Sequence, residues 1–343
     1  MPPAVLARTA LVIPLLLGAL PCRSQEDVAA FYHGKTLEML VPTTAGNDFD
    51  LRARLLVRFM SDHIPGRPTF VTRNMPGGGG IVAMNHMAAR VPRDGTTLHI
   101  MFPSIGALQA IGTPEINFDL RQFRFIGNTS SSPNVMTVWH TSGIRTFEDL
   151  KTKEAVLGST AGDSGVYYAR ALNDIAGTRI RVVSGYAGGG QVNLAMEREE
   201  VQGRATNSWA AWKATKPDWI ANGKMITVLQ VGLTRHPDLK DVPLLIELAS
   251  NDKDRKLLEF LSASVAISRA IVTTPDVPAA RLAALRKAFD QTVASPAFLD
   301  EARKINLDIS PLSGEQAQAV SDSIVNAAPD VVARARAIML GTK

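Results

Sequence analysis

One strand–loop–helix unit near the start of the chain constrains the fold more than any other feature. Residues 36–41 (TLEMLV) form a short apolar run followed by Pro42, a pattern typical of a buried parallel strand. Residues 43–48 are small and polar, and Gly46 allows a sharp turn among them. Such a unit directs its loop into the crevice at the carboxyl end of the strand, where open α/β sheets bind their ligands. An ordinary βα turn without a ligand has the same pattern, because a fold does not imply a function.

The helix after this loop is predicted from a spacing of four residues. Leu51, Leu55 and Phe59 recur at that spacing and are expected to form the apolar face. Asp48 and Asp50 are expected to cap the first turn. The solvated face is expected to carry three arginines, Arg52, Arg54 and Arg58.

Strands and helices alternate along the rest of the chain, whose 343 residues are 45% hydrophobic. That length and composition suffice for one large or two ordinary α/β domains. Further strands are predicted at residues 69–73, 97–102, 123–126, 135–139, 156–157, 180–183, 201–206, 225–231 and 270–272. Further helices are predicted at 81–90, 166–176 and 188–199, and from residues 278, 296 and 314, with Pro329 dividing the last helical stretch.

The chain is predicted to divide into two lobes. Residues 71–84 and 182–196 both have the pattern of a strand, a glycine run and a helix, which two similar lobes with a cleft between them would produce. Chance is the alternative, because βα turns commonly need glycine. The residues after 270 are too few for a domain and are expected to return to the first lobe. The predicted division is lobe 1 over residues 25–130 and 236–343, and lobe 2 over residues 131–235.

Residues 1–24 have the pattern of a secretory signal peptide. Arg8 supplies the positive charge, residues 10–20 the short apolar segment, and residues 22–24 a cleavage site after small residues. Cleavage would remove Cys22, the only cysteine, and leave a product without a disulfide. A lipid anchor on Cys22 is the alternative, although Pro21 before it fits such a signal poorly. We expect a soluble protein outside the cytoplasm.

Composition and motifs argue against several classes of function. The formal charge is +5 and the basic residues are scattered, so nucleic acid is not an expected partner. The histidines show neither HxH nor HExxH spacing, so neither a metal site nor a cofactor is expected. Residues 162–165 (GDSG) match the nucleophile motif of trypsin-like proteases, but the preceding histidines lack the matching context. Residues 78–83 fit a dinucleotide fingerprint, but no acid ends the next strand.

Five segments carry a resemblance to a known family, and they span most of residues 36–249. They are VPTTAGNDFDLRARLL, RNMPGGGGIVAMNHMAARVPRDGTTL, GSTAGDSGVYYARAL, SGYAGGGQVNLAMEREEVQGRA and VGLTRHPDLKDVPLLIELA. Their order resembles that of the periplasmic solute receptors of the tripartite tricarboxylate transporter family, the Bug receptors. The resemblance implies a two-lobed, type II periplasmic-binding fold with two α/β domains, two crossovers and a ligand cleft between the lobes.

The resemblance also implies a function and a site. Bug receptors are not enzymes; they capture small, usually carboxylated metabolites for the permease subunits of a membrane transporter, and we expect a monomer. In the family, main-chain N–H groups and ordered water at the first βα loop hold the carboxylate, and a loop of the second lobe closes over it. The residues so implied are Thr43, Thr44, Gly46 and Asn47 in the first loop, Ser159, Thr160, Gly162 and Ser164 in the second, and Ser104, Asn207 and Ser208. Each could instead be only a cap or a turn residue.

Three residues depart from the family pattern. Asn47 stands where a second glycine is usual, Asp48 stands where a small neutral residue is common, and Asp163 adds an acid near the proposed cleft. Asp48 and Asp163 either cap their helices or accept hydrogen bonds from the ligand. The second case predicts that amino acids, amides or hydroxy acids bind better than bare dicarboxylates. A receptor that reports to a sensor, or a periplasmic enzyme on the same lobes, is the alternative; neighbouring genes would discriminate these.

Overall fold

Two β-sheets organise the chain in a computed structural model, which describes residues 27–160 and 163–342. The predicted signal peptide, residues 1–24, lies outside the described residues. The described strands are β1 (Thr36–Val41), β2 (Thr69–Asn74), β3 (Thr97–Ile100), β4 (Arg124–Asn128), β5 (Asn134–Trp139), β6 (Ala155–Thr160), β7 (Ile180–Tyr186), β8 (Gly203–Ser208), β9 (Met225–Val231), β10 (Ala270–Thr273) and β11 (Leu312–Ser313).

Helices cover the faces of both sheets. They are α1 (Val28–Tyr32), α2 (Asp48–His63), α3 (Ile81–Arg90), α4 (Ile105–Ala110), α5 (Asp149–Thr152), α6 (Gly165–Ile175), α7 (Gly189–Glu197), α8 (Trp209–Thr215), α9 (Pro217–Ala221), α10 (Asp252–Ala266), α11 (Ala279–Ala294), α12 (Pro296–Lys304), α13 (Gly314–Val325) and α14 (Pro329–Leu340).

The two sheets share one pattern of strand directions. The first has the order β11-β4-β10-β3-β1-β2, in which β1 runs parallel to β2 and β3, and β10 runs antiparallel to β3 and β4. The second has the order β7-β6-β8-β5-β9, in which β6 runs parallel to β7 and β8, and β5 runs antiparallel to β8 and β9. The predicted two-lobed α/β fold is confirmed. Because β10 and β5 run opposite to their neighbours, each begins at the sheet edge where the neighbouring strands end.

Strand β1 has apolar side chains on both of its faces, and both faces are covered. Leu37, Met39 and Val41 belong to the apolar cluster that includes residues of α2 and α11, whereas Leu40 belongs to the cluster on the opposite face. All four side chains are fully buried. This is the pattern expected of a parallel strand between two layers of helices.

Helix α2 departs from its predicted faces. Its N-cap is Asn47, and Asp48 and Asp50 lie in its first turn. Leu51 is 40% exposed, whereas Arg52 is only 4% exposed. The prediction was wrong for Leu51, whereas Leu55 is buried and Phe59 packs against the same apolar cluster; the fully buried stripe consists of Ala53, Leu56 and Met60. Arg52 is buried because its charge is paired, as described below.

The C-terminal helix contacts the second sheet's helices. Nη1 of Arg170, on α6, donates to the carbonyl oxygens of Ile338 (3.1 Å) and Met339 (2.9 Å) at the end of α14. Arg334 of α14 pairs with Asp174 of α6 at 3.3 Å. The same C-terminal region also supplies β10 and β11 to the first sheet. Helix α14 therefore links the two lobes away from the chain crossovers.

His99 is a buried histidine in β3. It is fully buried, its Nδ1 lies 3.1 Å from the carbonyl oxygen of Leu40, and its Nε2 has no partner among the described residues. Burial lowers its pKa from 6.5 to about 4, against a smaller opposing effect of the hydrogen bond to Leu40. His99 is therefore neutral wherever the fold is intact at neutral pH.

Replacing His99 should flatten the pH dependence of stability. The unfolded chain takes up a proton near pH 6.5 and the folded protein only near pH 4, so folding stability falls as the pH drops through that interval, by about 3 kcal/mol. We expect His99→Met to remove most of this loss, and His33→Gln, at an exposed position, to leave it unchanged. Urea unfolding at pH 7 and pH 4 measures the difference. An unchanged slope in His99→Met would contradict the assignment.

Candidate functional site

The first βα loop is closed by its own hydrogen bonds. The side-chain oxygen of Asn47 accepts hydrogen bonds from the main-chain N–H groups of Phe49 (3.0 Å) and Asp50 (3.2 Å). The hydroxyl of Thr43 donates to the same oxygen at 2.9 Å, and the Asn47 amide donates to the carbonyl of exposed Thr44 at 2.8 Å. Two N–H groups of the first turn of α2 are thus occupied inside the loop and are not free to hold a ligand carboxylate.

Asp50 fixes this loop from the protein side. Its carboxylate is buried and accepts hydrogen bonds from the N–H of Gly46 (2.9 Å), Nδ2 of Asn74 (2.9 Å) and Nε of Arg54 (3.0 Å). Burial alone would raise the pKa of Asp50, but these hydrogen bonds hold it below its ordinary value. Gly46 has a φ of +85°, in the left-handed region, so the turn requires glycine there.

Asp48 is paired with two arginines. Its carboxylate lies 2.8 Å from Nε of Arg52 and within hydrogen-bonding distance of Nε of Arg269. The Arg269 guanidinium also lies over the ring of Phe49, 4.2 Å from its centroid. Burial would raise the pKa of Asp48, but Arg269 and Arg52 lower it. Asp48 is therefore an ionised acid whose charge is compensated by arginines of the protein.

A cavity of about 390 Å³ lies between the two lobes. The first lobe contributes residues that follow β2 and β3, and the second lobe contributes residues at the start of β5 and after β6. The start of α6, the end of α10 and the segment that joins α10 to β10 form the remaining wall. The lining residues are Gly79, Phe102, Pro103, Ser104, Asn134, Thr160, Asp163, Ser164, Tyr167, Tyr168, Ser264, Val265, Ser268 and Arg269. The cavity thus joins the strand ends of both sheets.

The predicted site residues divide between this cavity and a neighbouring one. Ser104, Thr160, Asp163 and Ser164 line the cavity between the lobes. A second cavity, of about 320 Å³, shares Arg269 with the first and is lined in part by four other predicted residues, Gly46, Asn47, Asp48 and Ser208. Arg269 therefore forms part of the wall between the two groups of predicted residues.

The remaining predicted residues lie elsewhere. Ser159 is fully buried in β6, and its hydroxyl has no partner among the described residues. Asn207 lies opposite Val135 in the ladder between β8 and β5 and is half-buried. Gly162 lies outside the described residues. Ser159 lines neither of the two cavities.

Asp163 forms part of the wall contributed by the second lobe. The hydroxyl of Thr160 donates to its carboxylate at 3.2 Å, and the hydroxyl of Ser164 lies 3.5 Å from it. Burial raises the pKa of Asp163, and the positive charge of Arg204 opposes this increase. The cavity wall therefore holds an acid whose negative charge is less stable than that of an ordinary aspartate.

Sequence reasoning missed the cavity residues that lie at the start of the two reversed strands, β10 and β5. Arg269 directly precedes β10, and Asn134 is the first residue of β5. Both reach the cavity because β10 and β5 begin where β3 and β8 end. The strands themselves were predicted, but their direction in the sheet depends on contacts far apart in the sequence. The only local signal was an arginine immediately before an apolar strand.

Three other features can be compared with the cavity between the lobes: an apolar groove, groups of metal-ligating side chains and membrane-spanning helices. A groove of about 520 Å³ lies among α10, α13 and α14 and is lined mostly by apolar residues. The described residues contain no group of three or more His, Cys, Asp or Glu side chains that could hold a metal ion. Within residues 27–160 and 163–342, no helix is long and apolar enough to cross a membrane.

Solved structures share the fold. A TctC solute binding protein from Polaromonas matches with a TM-score of 0.68 and 19% identity, over 90% of this chain and 99% of that one. R. palustris Rpa4515 with adipate matches with a TM-score of 0.63 and 18% identity, over 90% and 97%. MatC (Rpa3494) from Rhodopseudomonas palustris with bound malate matches with a TM-score of 0.60 and 16% identity, over 89% and 99%. At these identities the similarity establishes the fold alone.

Sequence comparison supplies the family. No curated protein matches this chain significantly. The sequence model described as "Tripartite tricarboxylate transporter family receptor" matches residues 53–337, from within α2 to within α14. The match covers most of the chain and confirms the resemblance carried by the sequence motifs. The chain belongs to the tripartite tricarboxylate transporter receptor family, whose members are solute-binding receptors.

Proposed function

We propose that this chain is a periplasmic receptor that captures a small carboxylated solute in the cavity between its lobes and delivers it to the permease subunits of a membrane transporter. The observation that carries the proposal is the composition of that cavity, which is lined by hydroxyl-bearing residues of both lobes and by Arg269. Family membership supports transport, and the neighbours with adipate and malate support a carboxylate ligand. The proposal includes the predicted lobe boundaries, export with removal of residues 1–24, and a monomeric receptor.

Arg269 is the proposed anchor of the carboxylate. Its Nε binds Asp48, and its Nη1 donates to the carbonyl of Ser268 at 2.8 Å. Asp48 is shared with Arg52, so its single negative charge does not fully neutralise both guanidinium groups. Arg269 therefore retains attraction for an anion at the cavity wall, and a guanidinium is well suited to binding a carboxylate.

We propose no catalytic role for the chain. The hydroxyl of Ser164, in the protease-like GDSG segment, lies beside Asp163, and the described hydrogen bonds join it to no histidine. A triad-type serine nucleophile needs an adjacent histidine as its general base, and none is joined to Ser164 among the described hydrogen bonds. Binding and closure account for the cavity without a reaction.

Binding should close the lobes and should depend on the cavity hydroxyls. Small-angle scattering should show a smaller radius of gyration with saturating adipate or malate, because polar groups of both lobes must converge on one solute.

We expect Thr160→Val to weaken binding about three- to tenfold, the loss of roughly one hydrogen bond. Thr152→Val, an exposed position of the second lobe, should bind like the wild type. Calorimetry measures both variants. Failure of every small carboxylate to bind would refute the proposed ligand class.

Asp163→Asn should stabilise the ligand-free protein at neutral pH. Burial raises the pKa of Asp163, so its ionised form opposes folding above that pKa, whereas the amide carries no charge. The gain in Tm should be present at pH 7 and should shrink as the pH falls toward 3.8, where the acid becomes protonated in both folded and unfolded chains. Thermal unfolding across this range, with exposed Asp62→Asn as the control, measures the effect. An equal gain at every pH would exclude ionisation as its cause.

A further inference from the structure

Arg204 is a buried guanidinium without a carboxylate partner. It lies in β8, is 8% exposed, and forms no ion pair within 4.0 Å among the described residues. Its only described hydrogen bond is a long one, 3.4 Å from Nη1 to Oδ1 of Asn193, and its Nε has none. Arg52 is buried to a similar degree but lies 2.8 Å from the carboxylate of Asp48. Arg204 therefore lacks the compensation that buried charges normally require.

The guanidinium of Arg204 lies beneath the first turn of α7. A Cβ atom added to Gly189, the first residue of α7, would lie 2.8 Å from both terminal nitrogens of Arg204, so only glycine leaves room for the charge. On another side the ring of Trp212 has its centroid 5.4 Å from Cζ of Arg204. The indole Nε1 of Trp212 is also buried without a partner among the described residues. Arg204 and the neighbouring Trp212 thus each have a buried hydrogen-bond donor without a partner among the described residues.

Helix α7 adds further donors at the same point. Its N-cap is Gly188, which provides no side-chain hydrogen bond, so side chains do not satisfy the N–H groups of its first turn. The helix has nine residues and follows β7, whose last residue, Tyr186, pairs with Thr160 of β6. The start of α7 therefore lies at the edge of the second sheet where Thr160 and Asp163 form the cavity wall.

These donors have one chemical complement. A guanidinium, an indole N–H and the positive end of a helix dipole all favour negative charge, and together they are typical of an anion site. Asp163 is too far from Arg204 for an ion pair within 4.0 Å, although it is close enough for the two charges to influence each other. An incoming acidic group would supply the hydrogen bonds that Arg204 lacks in the protein alone.

We propose that Arg204 and the main-chain N–H of Gly189 form a second anion subsite in the cleft, which binds the distal carboxylate of a dicarboxylic solute. The inference rests on the proposed function, in which the first carboxylate binds at Arg269. A solute with two acidic groups then spans the cleft from one lobe to the other. Its second charge offsets the buried charge of Arg204, so the subsite favours diacids over monoacids of equal length.

Calorimetry with adipate and hexanoate tests the subsite, because the two acids differ in one carboxylate at equal chain length. We expect the wild type to bind adipate at least tenfold more tightly than hexanoate. Arg204→Met and Gly189→Ala should both lose most of this preference, the first by removing the charge and the second by displacing it. Gly190→Ala is the matched control, since a Cβ there meets nothing within 4 Å and should leave the preference intact.

Folding of the variants is monitored by circular dichroism and thermal unfolding. Arg204→Met should keep the Tm of the ligand-free protein or raise it, because it removes a buried charge that lacks a partner. A lowered Tm together with an unchanged preference for adipate would show that Arg204 is structural and would overturn the subsite. Retention of the preference in Gly189→Ala and Arg204→Met would overturn it as well.

The outcomes for the wild type separate the subsite from the receptor function. Equal affinity for adipate and hexanoate would overturn the subsite and leave carboxylate capture standing. Binding of neither acid would overturn the subsite, and carboxylate capture would fall with it only if malate and other small carboxylates also failed to bind. Inorganic sulfate is titrated alone as a further probe. Sulfate could bind to the wild type and not to Arg204→Met while adipate binds no more tightly than hexanoate. Arg204 would then bind a free anion, and the proposal that it binds the distal carboxylate of a solute would be overturned.

Discussion

The ion-pair cluster around Asp48 connects segments that are distant in sequence. Asp48 at the start of α2 binds Arg269, which directly precedes β10, and Arg52, whose Nη1 donates to the carbonyl of Asp308 at 2.6 Å. The first βα loop, the reversed central strand and the C-terminal segment are thereby held at one point. Arg52 is buried, so removal of Asp48 would leave its charge without this carboxylate, although water partly screens Asp48, whose side chain is 33% exposed. The shape of the cleft wall depends on this cluster.

Local patterns predicted most of the fold. Strands β1 and β9 and helix α3 have the predicted bounds, because apolar runs and turn residues define them without reference to the rest of the chain. Helix α10 was missed, because its first turns are strongly charged and its buried face includes Ser262 and Ser264. Arg52 was placed on the solvated face because a sequence pattern assigns charge to solvent unless its partner is known. Burial of a charge is decided by tertiary pairing.

The candidate site was less accessible to sequence reasoning than the fold. Loops after parallel strands could be located, and Ser104, Thr160, Asp163 and Ser164 do line one cavity. The charges that act there could not be found in the same way. Arg269 reaches the cleft only because β10 is reversed, and Arg204 is an interior strand residue whose environment depends on α7 folding over it. The sequence predicts which loops follow the strands at a sheet edge. Whether a long side chain from inside a strand or from a reversed strand also reaches that edge depends on the strand order, which the sequence does not show.

The contact of Arg170 with the end of α14 affects the free energy of separating α6 from α14, although it lies outside the cavity. Two carbonyl groups at a helix C-terminus and the guanidinium from the other lobe attract each other in the described arrangement. Any motion that separates α6 from α14 must break these bonds and the pair between Arg334 and Asp174. Apparent affinity scales with the population of the binding-competent arrangement. Substitutions in the last helix of this chain can therefore change its apparent affinity for a solute without altering any residue that lines the cavity.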